Sequence, residues 1–176
     1  MRAIEPIIIE EGLESVRETM RRTTSRALIL NDRNEVLMVY SFHFDDYTFA
    51  GGGRKSGETA EETLLRELKE ELGAVEVRNI RPFGRTTEIR YGIRGDTRVF
   101  RQTSDYFLCD VRFGNEPVLG FRERTHGVEP RWVRLDDAIA HNERVKDDER
   151  HRQKGLRTVL IRENTVLKLL KKERQL

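Results

Sequence analysis

Hydrophobic positions recur with two different periods along this chain, and the switch between them marks out the elements. Residues 25–30 and 35–41 are rich in β-formers and flank Asn31-Asp32-Arg33-Asn34, whose side chains favour turns, so a hairpin is expected there. Residues 47–50 read as a short strand running into Gly51-Gly52-Gly53, which reads as a loop. The period then becomes helical. At about 100° per residue, Leu64, Leu65, Leu68 and Leu72 fall on one arc and Glu67, Glu70 and Glu71 on its neighbour. Thr59-Ala60-Glu61-Glu62 has the spacing of a capping box, and Gly73 supplies the left-handed residue that ends many helices. Beyond it, 75–80, 86–91 and 99–111 look extended, with turn signals at Gly92 and Gly95-Asp96, and 131–134 forms a strand centred on Trp132. A last amphipathic helix, about 154–173, carries Leu156, Val159, Leu160, Leu167 and Leu170. At the other end Ile7-Ile8-Ile9 suits an added strand and 11–20 a short helix.

The first helix poses a charge problem. Carboxylates at i, i+3 and i+4 repel each other by roughly 0.2–0.5 kcal/mol per pair, so a positive partner must offset them. Mg2+ suits this role, with Mn2+ as an alternative, because it takes hard oxygen ligands, usually one or two carboxylates completed by water and substrate phosphate. The glycines before the helix let backbone come close to metal or phosphate.

From Gly52 to Ala74 the chain fits G-x5-E-x7-R-E-u-x-E-E-x-G-u, where u is aliphatic, through Gly52, Glu58, Arg66, Glu67, Leu68, Glu70, Glu71, Gly73 and Ala74. This resembles the Nudix box of the MutT-like hydrolases, which cut a nucleoside diphosphate linked to another moiety. The resemblance covers residues 22–140 and implies one α/β domain over 1–176 with the Nudix fold, a mixed β-sheet sandwiched between α-helices. Residues 1–20 would be an extension and the C-terminal helix a looser fit. Leu135-Asp136-Asp137-Ala138 resembles the start of the family's second helix, with Asp136 as its cap.

What the resemblance implies chemically is a Mg2+-dependent pyrophosphohydrolase in which metal-activated water attacks phosphorus. Glu67, Glu70 and Glu71, with a carbonyl at Gly52, would bind the metal. Glu67 would orient or deprotonate the nucleophile, Arg66 would hold Glu70, and Glu58 would either bind metal or cap the first turn. In some members the base lies outside the box, which makes Glu123 and Glu129 candidates. Three positions depart from the usual pattern: Ala50 stands where proline is frequent, Lys55 where glutamate is frequent, and Ala74 is a small aliphatic. Lys55 would contact substrate phosphate or simply face water. Arg85, Arg90 and Arg98, among the arginines crowding 81–101, could grip a polyphosphate or RNA 5′ end or simply coat a solvated hairpin, and Tyr91 lies near a tyrosine of dinucleoside-polyphosphate members. Glu88 and Ile89 replace the proline of the ADP-ribose class and disfavour it. The substrate is expected to be a small nucleotide, with an RNA 5′ end or a dinucleoside polyphosphate as variants. A non-hydrolysing nucleotide sensor on the same fold is the alternative from another class, and retention of all the box glutamates counts against it.

Charge narrows the partners. Charged residues make up 36% of the chain yet the net charge is only +2, which does not suit a dedicated DNA-binding module. Cys109 is the one cysteine and lies in an apolar run, so it is expected as a buried thiol. No signal-peptide pattern and no apolar stretch near 18 residues occurs, so a cytoplasmic protein without a membrane partner is expected; a homodimer is left open. His43, His126, His141 and His151 have no metal-ligand spacing, and one of Phe42, Phe44, Tyr47 and Phe49 could stack on a base.

Overall fold

The computed structural model describes residues 1–93, 96–118 and 120–174, apart from the side chains of 121–123. Arg94, Gly95 of the expected turn, and the side chain of Glu123 therefore lie outside the described residues. The elements run β1 (Ile8–Ile9), β2 (Met20–Leu28), β3 (Glu35–Ser41), β4 (Asp46–Thr48), β5 (Gly51–Gly53), α1 (Ala60–Leu72), β6 (Ala74–Tyr91), β7 (Val99–Phe113), α2 (Phe121–His126), β8 (Val128–Arg134), α3 (Leu135–Val145) and α4 (Val159–Arg174). They build a five-stranded mixed sheet, β1-β6-β7-β2-β5, and a three-stranded antiparallel sheet, β4-β3-β8.

Neighbouring residues in these strands point to opposite faces, and the sequence loads both faces with apolar side chains. Leu28, Phe49 and Tyr106 join Val36, Met38, Leu135, Val166, Leu167 and Leu170 in one core, against α3 and α4. Their neighbours Ala27, Ala50 and Phe107 join Leu37, Leu64, Leu68 and Leu72 in a second core, against α1. The layers are thus helix, sheets, helices. Cys109 is buried in the second core, where burial, and then Asp110, push its thiol up to about 12.

Several expectations change. Residues 25–30 and 35–41 pair antiparallel only next to the turn, through a bridge at Leu30 and Val36 and the Leu37 amide donating to Ile29, because β2 then joins one sheet and β3 the other. Residues 75–80 and 86–91 are parts of one strand, bent by register shifts at Arg78/Arg81 and Pro82/Gly84. Residues 11–20 form turns and extended chain rather than a helix, with Leu13 packed on Ile89 and Val99. The N-terminal stretch is an edge of the larger sheet, since β1 runs parallel to β6 and the Ile4 amide donates to the Arg85 carbonyl. Residues 120–130, which carry the candidates Glu123 and Glu129, hold α2 and the start of β8. Asp136 does not cap α3: Arg134 occupies that position without a side-chain bond, and Asp136 pairs with Lys171 of α4. Leu156 precedes α4. No described helix is long and apolar enough to cross a membrane.

Between the larger sheet and α4 lies a buried ionic network. Arg162 donates to Glu88 at 2.7 Å and pairs with Glu163, whose other oxygen accepts the Phe49 amide at 3.1 Å. Burial alone would lower the Arg162 pKa, but Glu88 and Glu163 outweigh it and raise it. Removing one partner from such a cluster leaves buried charge without compensation, at a cost of about 3–5 kcal/mol. Arg162→Met is therefore expected to lower stability by that amount in urea titration, although its apolar volume is kept. A loss under 1 kcal/mol would show that the network is hydrated and only weakly coupled to folding.

Candidate active site

Three glycines form a strand here, not a loop. Gly51, Gly52 and Gly53 pair antiparallel with Arg26, Ser25 and Thr24, which makes β5 the edge of the larger sheet. The Ala27 amide donates to Ala50 and the Arg54 amide to Thr23, so by the alternation of an antiparallel ladder Gly52 turns its N–H and C=O toward Ser25. Gly51 and Gly53 turn theirs outward. The Gly51 amide donates to Glu71 Oε2 at 2.7 Å, its carbonyl accepts from Arg26 at 2.7 Å, and the Gly53 carbonyl accepts from Arg66 at 3.0 Å. Arg26 also donates to the Phe49 carbonyl at 2.8 Å. The strand is thus held to α1 through Glu71 and Arg66, to β2 through Arg26, and to α4 through Glu163.

Helix α1 begins as its sequence directs. Thr59 accepts the Glu62 amide while Glu62 accepts the Thr59 amide, and Gly73 closes the other end with φ of 64°. Leu64, Leu68 and Leu72 are buried, which turns Glu67, Glu70 and Glu71 toward β5 and its surroundings. Arg66 gathers the carboxylates. It donates to both Glu58 oxygens at 2.6 and 3.0 Å, to Glu67 at 2.6 Å and to Glu70 at 3.4 Å. Glu58 also accepts from the Lys55 amide and the Thr63 hydroxyl. Arg66 first, then the Lys55 amide, hold the Glu58 carboxyl down at about 2, and the same pairing raises the Arg66 pKa. Glu58 is therefore tied to the helix start and to Arg66 together.

Gly52 meets Glu67 at close quarters. A Cβ on Gly52 would lie 2.6 Å from all three carboxyl atoms of Glu67, so this carboxylate occupies the space that the missing side chain leaves. Among the described residues no three His, Cys, Asp or Glu side chains stand grouped as a ready-made metal site, and Arg66 and the Gly51 amide bond oxygens of Glu67 and Glu71. The donor set is nevertheless the hard carboxylate kind that Mg2+ and Mn2+ take, and it lies against open backbone.

The outlying arginines part company. Gly52, Ser25, Asp105 and Arg85 stand in one row across four strands, which puts Arg85 about 14 Å from the glycine at ordinary strand spacing. Arg85 clasps Asp105 with two bonds, and Arg54 donates to the same carboxylate at 3.1 Å. Arg90, Tyr91 and Arg98, expected at the substrate, stand away from the glycine strand. Arg90 and Tyr91 lie five and six residues farther along β6, roughly 16–20 Å beyond that row. Arg90 is buried and bonded to Gln102 and the Tyr91 carbonyl; Arg98 folds onto Asp96; the Tyr91 ring packs against Lys154. Lys55 is exposed at the turn before α1. Glu129 pairs with Arg131, which stacks on Tyr40. The histidines gather around residues 40–48: His43 stacks on His126, His141 meets Asp45, and buried His151 meets Asp46. Sequence reading missed Arg26, which holds Gly51, and Glu163, which holds Phe49 just before the glycine strand, since nothing local marks partners 25 and 114 positions apart.

Known proteins carry the same pattern. A family model for the NUDIX domain matches residues 20–154. Nucleoside triphosphatase NudI of Enterobacter sp. (strain 638) is 33% identical over 88 residues, covering 49% of this chain and 60% of that protein, less than two thirds of its length. The NudI of Escherichia coli O139:H28 is 30% identical over 111 residues, covering 62% of this chain and 77% of the relative. Among solved structures, a MutT NUDIX hydrolase from Burkholderia pseudomallei superposes with a TM-score of 0.52 at 19% identity over 66% of this chain and 85% of that one. A putative nudix hydrolase family member from Chromobacterium violaceum gives 0.53 at 15% identity over 91% and 83%. These two show the fold. With the box motif at the meeting of β5 and α1 and a family model matching most of its length, the chain belongs to the Nudix hydrolase family.

Proposed function

We propose that this protein is a divalent-metal-dependent hydrolase of nucleoside triphosphates, with Mg2+ as the working ion and Mn2+ as a substitute. The observation that carries the reading is the Glu67 carboxylate lodged against Gly52, with Glu70 and Glu71 on the same helix and Arg66 among them. Nudix hydrolases generally use a divalent metal, and the two curated relatives are named nucleoside triphosphatases, which supports the substrate class. Glu67, Glu70 and Glu71 would hold the ion. Bound there, it supplies charge neutralisation at the phosphate oxygens and a more acidic water.

The chain's own residues do the rest. Glu71 fixes the strand to the helix through the Gly51 amide, so the carboxylates and the glycine backbone move as one body. Arg66 orients Glu67 through one oxygen and leaves the other without an Arg66 bond. That oxygen is the acceptor for the proton lost as water adds to phosphorus and the bridging P–O bond breaks, with the leaving phosphate or pyrophosphate carrying the bond's electron pair. Glu58 keeps Arg66 from swinging away. The direct test is a nucleotide panel assayed for phosphate and pyrophosphate release with and without Mg2+. No release from any nucleoside triphosphate, with metal in excess, would defeat the reading.

Glu71→Gln keeps an acceptor for the Gly51 amide and removes only charge. Turnover is expected to fall by about two orders of magnitude or more while the melting temperature holds. Gly52→Ala and Gly51→Ala should separate function from folding. At Gly52 the intruding Cβ meets the end of a flexible glutamate, so kcat falls with little loss of stability; at Gly51 it meets the Ser25 carbonyl at 2.1 Å, and φ is 128°, so the fold itself suffers. Equal melting temperatures for the two variants would contradict this. Glu58 has a carboxyl held from its ordinary 4.5 down to about 2, so its contribution is complete above about 4.5 and is lost as pH falls through about 2. Glu58→Gln should be less stable than the parent at pH 7, and the gap should narrow between pH 4.5 and 2, as read from urea midpoints.

A further inference from the structure

On the α4 side of the larger sheet, four guanidiniums stand near three carboxylates, and the pairing leaves one cation over. Arg162 is taken by Glu88 and Glu163. Arg90 donates to Gln102 and the Tyr91 carbonyl, and Arg26 to the carbonyls of Phe49 and Gly51. Glu10 accepts the amides of Gly155 and Tyr91. Gln102, which stands opposite Arg22 in the ladder, spends its amide on Glu88 and its carbonyl on Arg90. The guanidinium of Arg22 has no hydrogen-bond or ion-pair partner among the described residues. Arg22 is exposed to solvent, although protein atoms around it first, then Arg90, Arg26 and Arg162, pull its pKa down to about 10 against the opposing charge of Glu88.

Its position is the second observation. A Cβ on Gly53 would lie 3.5 Å from Arg22 Nη2 and 3.8 Å from its Nε, so the guanidinium overlooks the glycine beside Gly52. Successive strand residues face opposite sides, and the Gly52 side is the one that meets Glu67. A single phosphate cannot touch both faces of this edge strand. A chain of linked phosphates can, with one end at the α1 carboxylates and the other against Arg22.

We infer that Arg22 is a phosphate-binding residue, its fork taking two non-bridging oxygens of a polyphosphate chain that crosses the edge strand at Gly52 and Gly53. The inference rests on the nucleoside triphosphate reading for its substrate, and not for its ligand chemistry. Arg22, rather than Arg85, Arg90 or Arg98, then selects for triphosphates over shorter chains.

The test uses the whole protein with Arg22→Ala, Arg22→Lys and Arg98→Ala, the last being distant from the glycines and paired with Asp96. Arg22→Ala should raise KM for a nucleoside triphosphate about tenfold or more, the size expected for a hydrogen bond to a charged group, and raise it less for a diphosphate, with kcat within about threefold. The loss should persist at high ionic strength, and lysine should restore it only in part, since it returns charge without the fork. Calorimetric binding of inorganic tripolyphosphate without metal gives an arm that does not need turnover. There Arg22→Ala should weaken binding and Arg98→Ala should not. Melting temperatures exclude a folding defect, and removing an unpaired cation from a cationic group should leave the alanine variant's unchanged or higher. Unchanged tripolyphosphate affinity and unchanged KM in a folded Arg22→Ala protein would overturn the assignment. An inactive parent that still binds tripolyphosphate through Arg22 would sink the hydrolase reading and leave this one standing.

Discussion

The guanidinium of Arg66 is the point on which the site depends. Its five donors reach Glu58 at the helix start, Glu67 and Glu70 on the helix itself, and the Gly53 carbonyl of the edge strand. A planar fork can hold five oxygens from three segments at fixed angles, as an ammonium on a flexible stem cannot. It also offsets the repulsion that a run of helical glutamates would otherwise suffer. A divalent ion bound at the proposed site would meet carboxylates already turned inward and would compete with Arg66 for their oxygens instead of having to assemble them.

Much of this was legible in the sequence because its determinants are local. The capping box of Thr59 and Glu62, the buried arc of Leu64, Leu68 and Leu72 and the left-handed Gly73 are each fixed by residues within a turn of one another and stand as read, whereas Leu65, placed on the same arc, is exposed. The glycine run was misread as a loop because glycine has no strand propensity; tertiary pairing with Thr24 to Arg26 makes it a strand all the same. The hairpin is shorter than expected for a similar reason. Turn chemistry at Asn31 to Asn34 fixes where the chain reverses, but not which sheet each arm joins afterward.

Arginines were the least legible. Their crowding over residues 81–101 suggested a shared grip on a polyphosphate. In the structure each has a separate fate, set by contacts far away in sequence: Arg85 spans to Asp105, Arg90 to Gln102, Arg98 turns back on Asp96, and Arg26 and Arg162 become part of the frame. Buried guanidiniums need partners, and those partners come from whichever strand or helix the topology brings alongside. Spacing along one segment carries no information about that.

The edge position of β5 has a consequence for solubility. A bare strand edge offers unpaired amides and carbonyls to any passing chain, and three glycines have no side chains to block it. Here the outward Gly51 amide and the outward carbonyls of Gly51 and Gly53 are already occupied by Glu71, Arg26 and Arg66. The residues that arm the site therefore also seal the border of the sheet, and a chain that lost Arg66 would expose a template for strand addition at the very place where its chemistry had been.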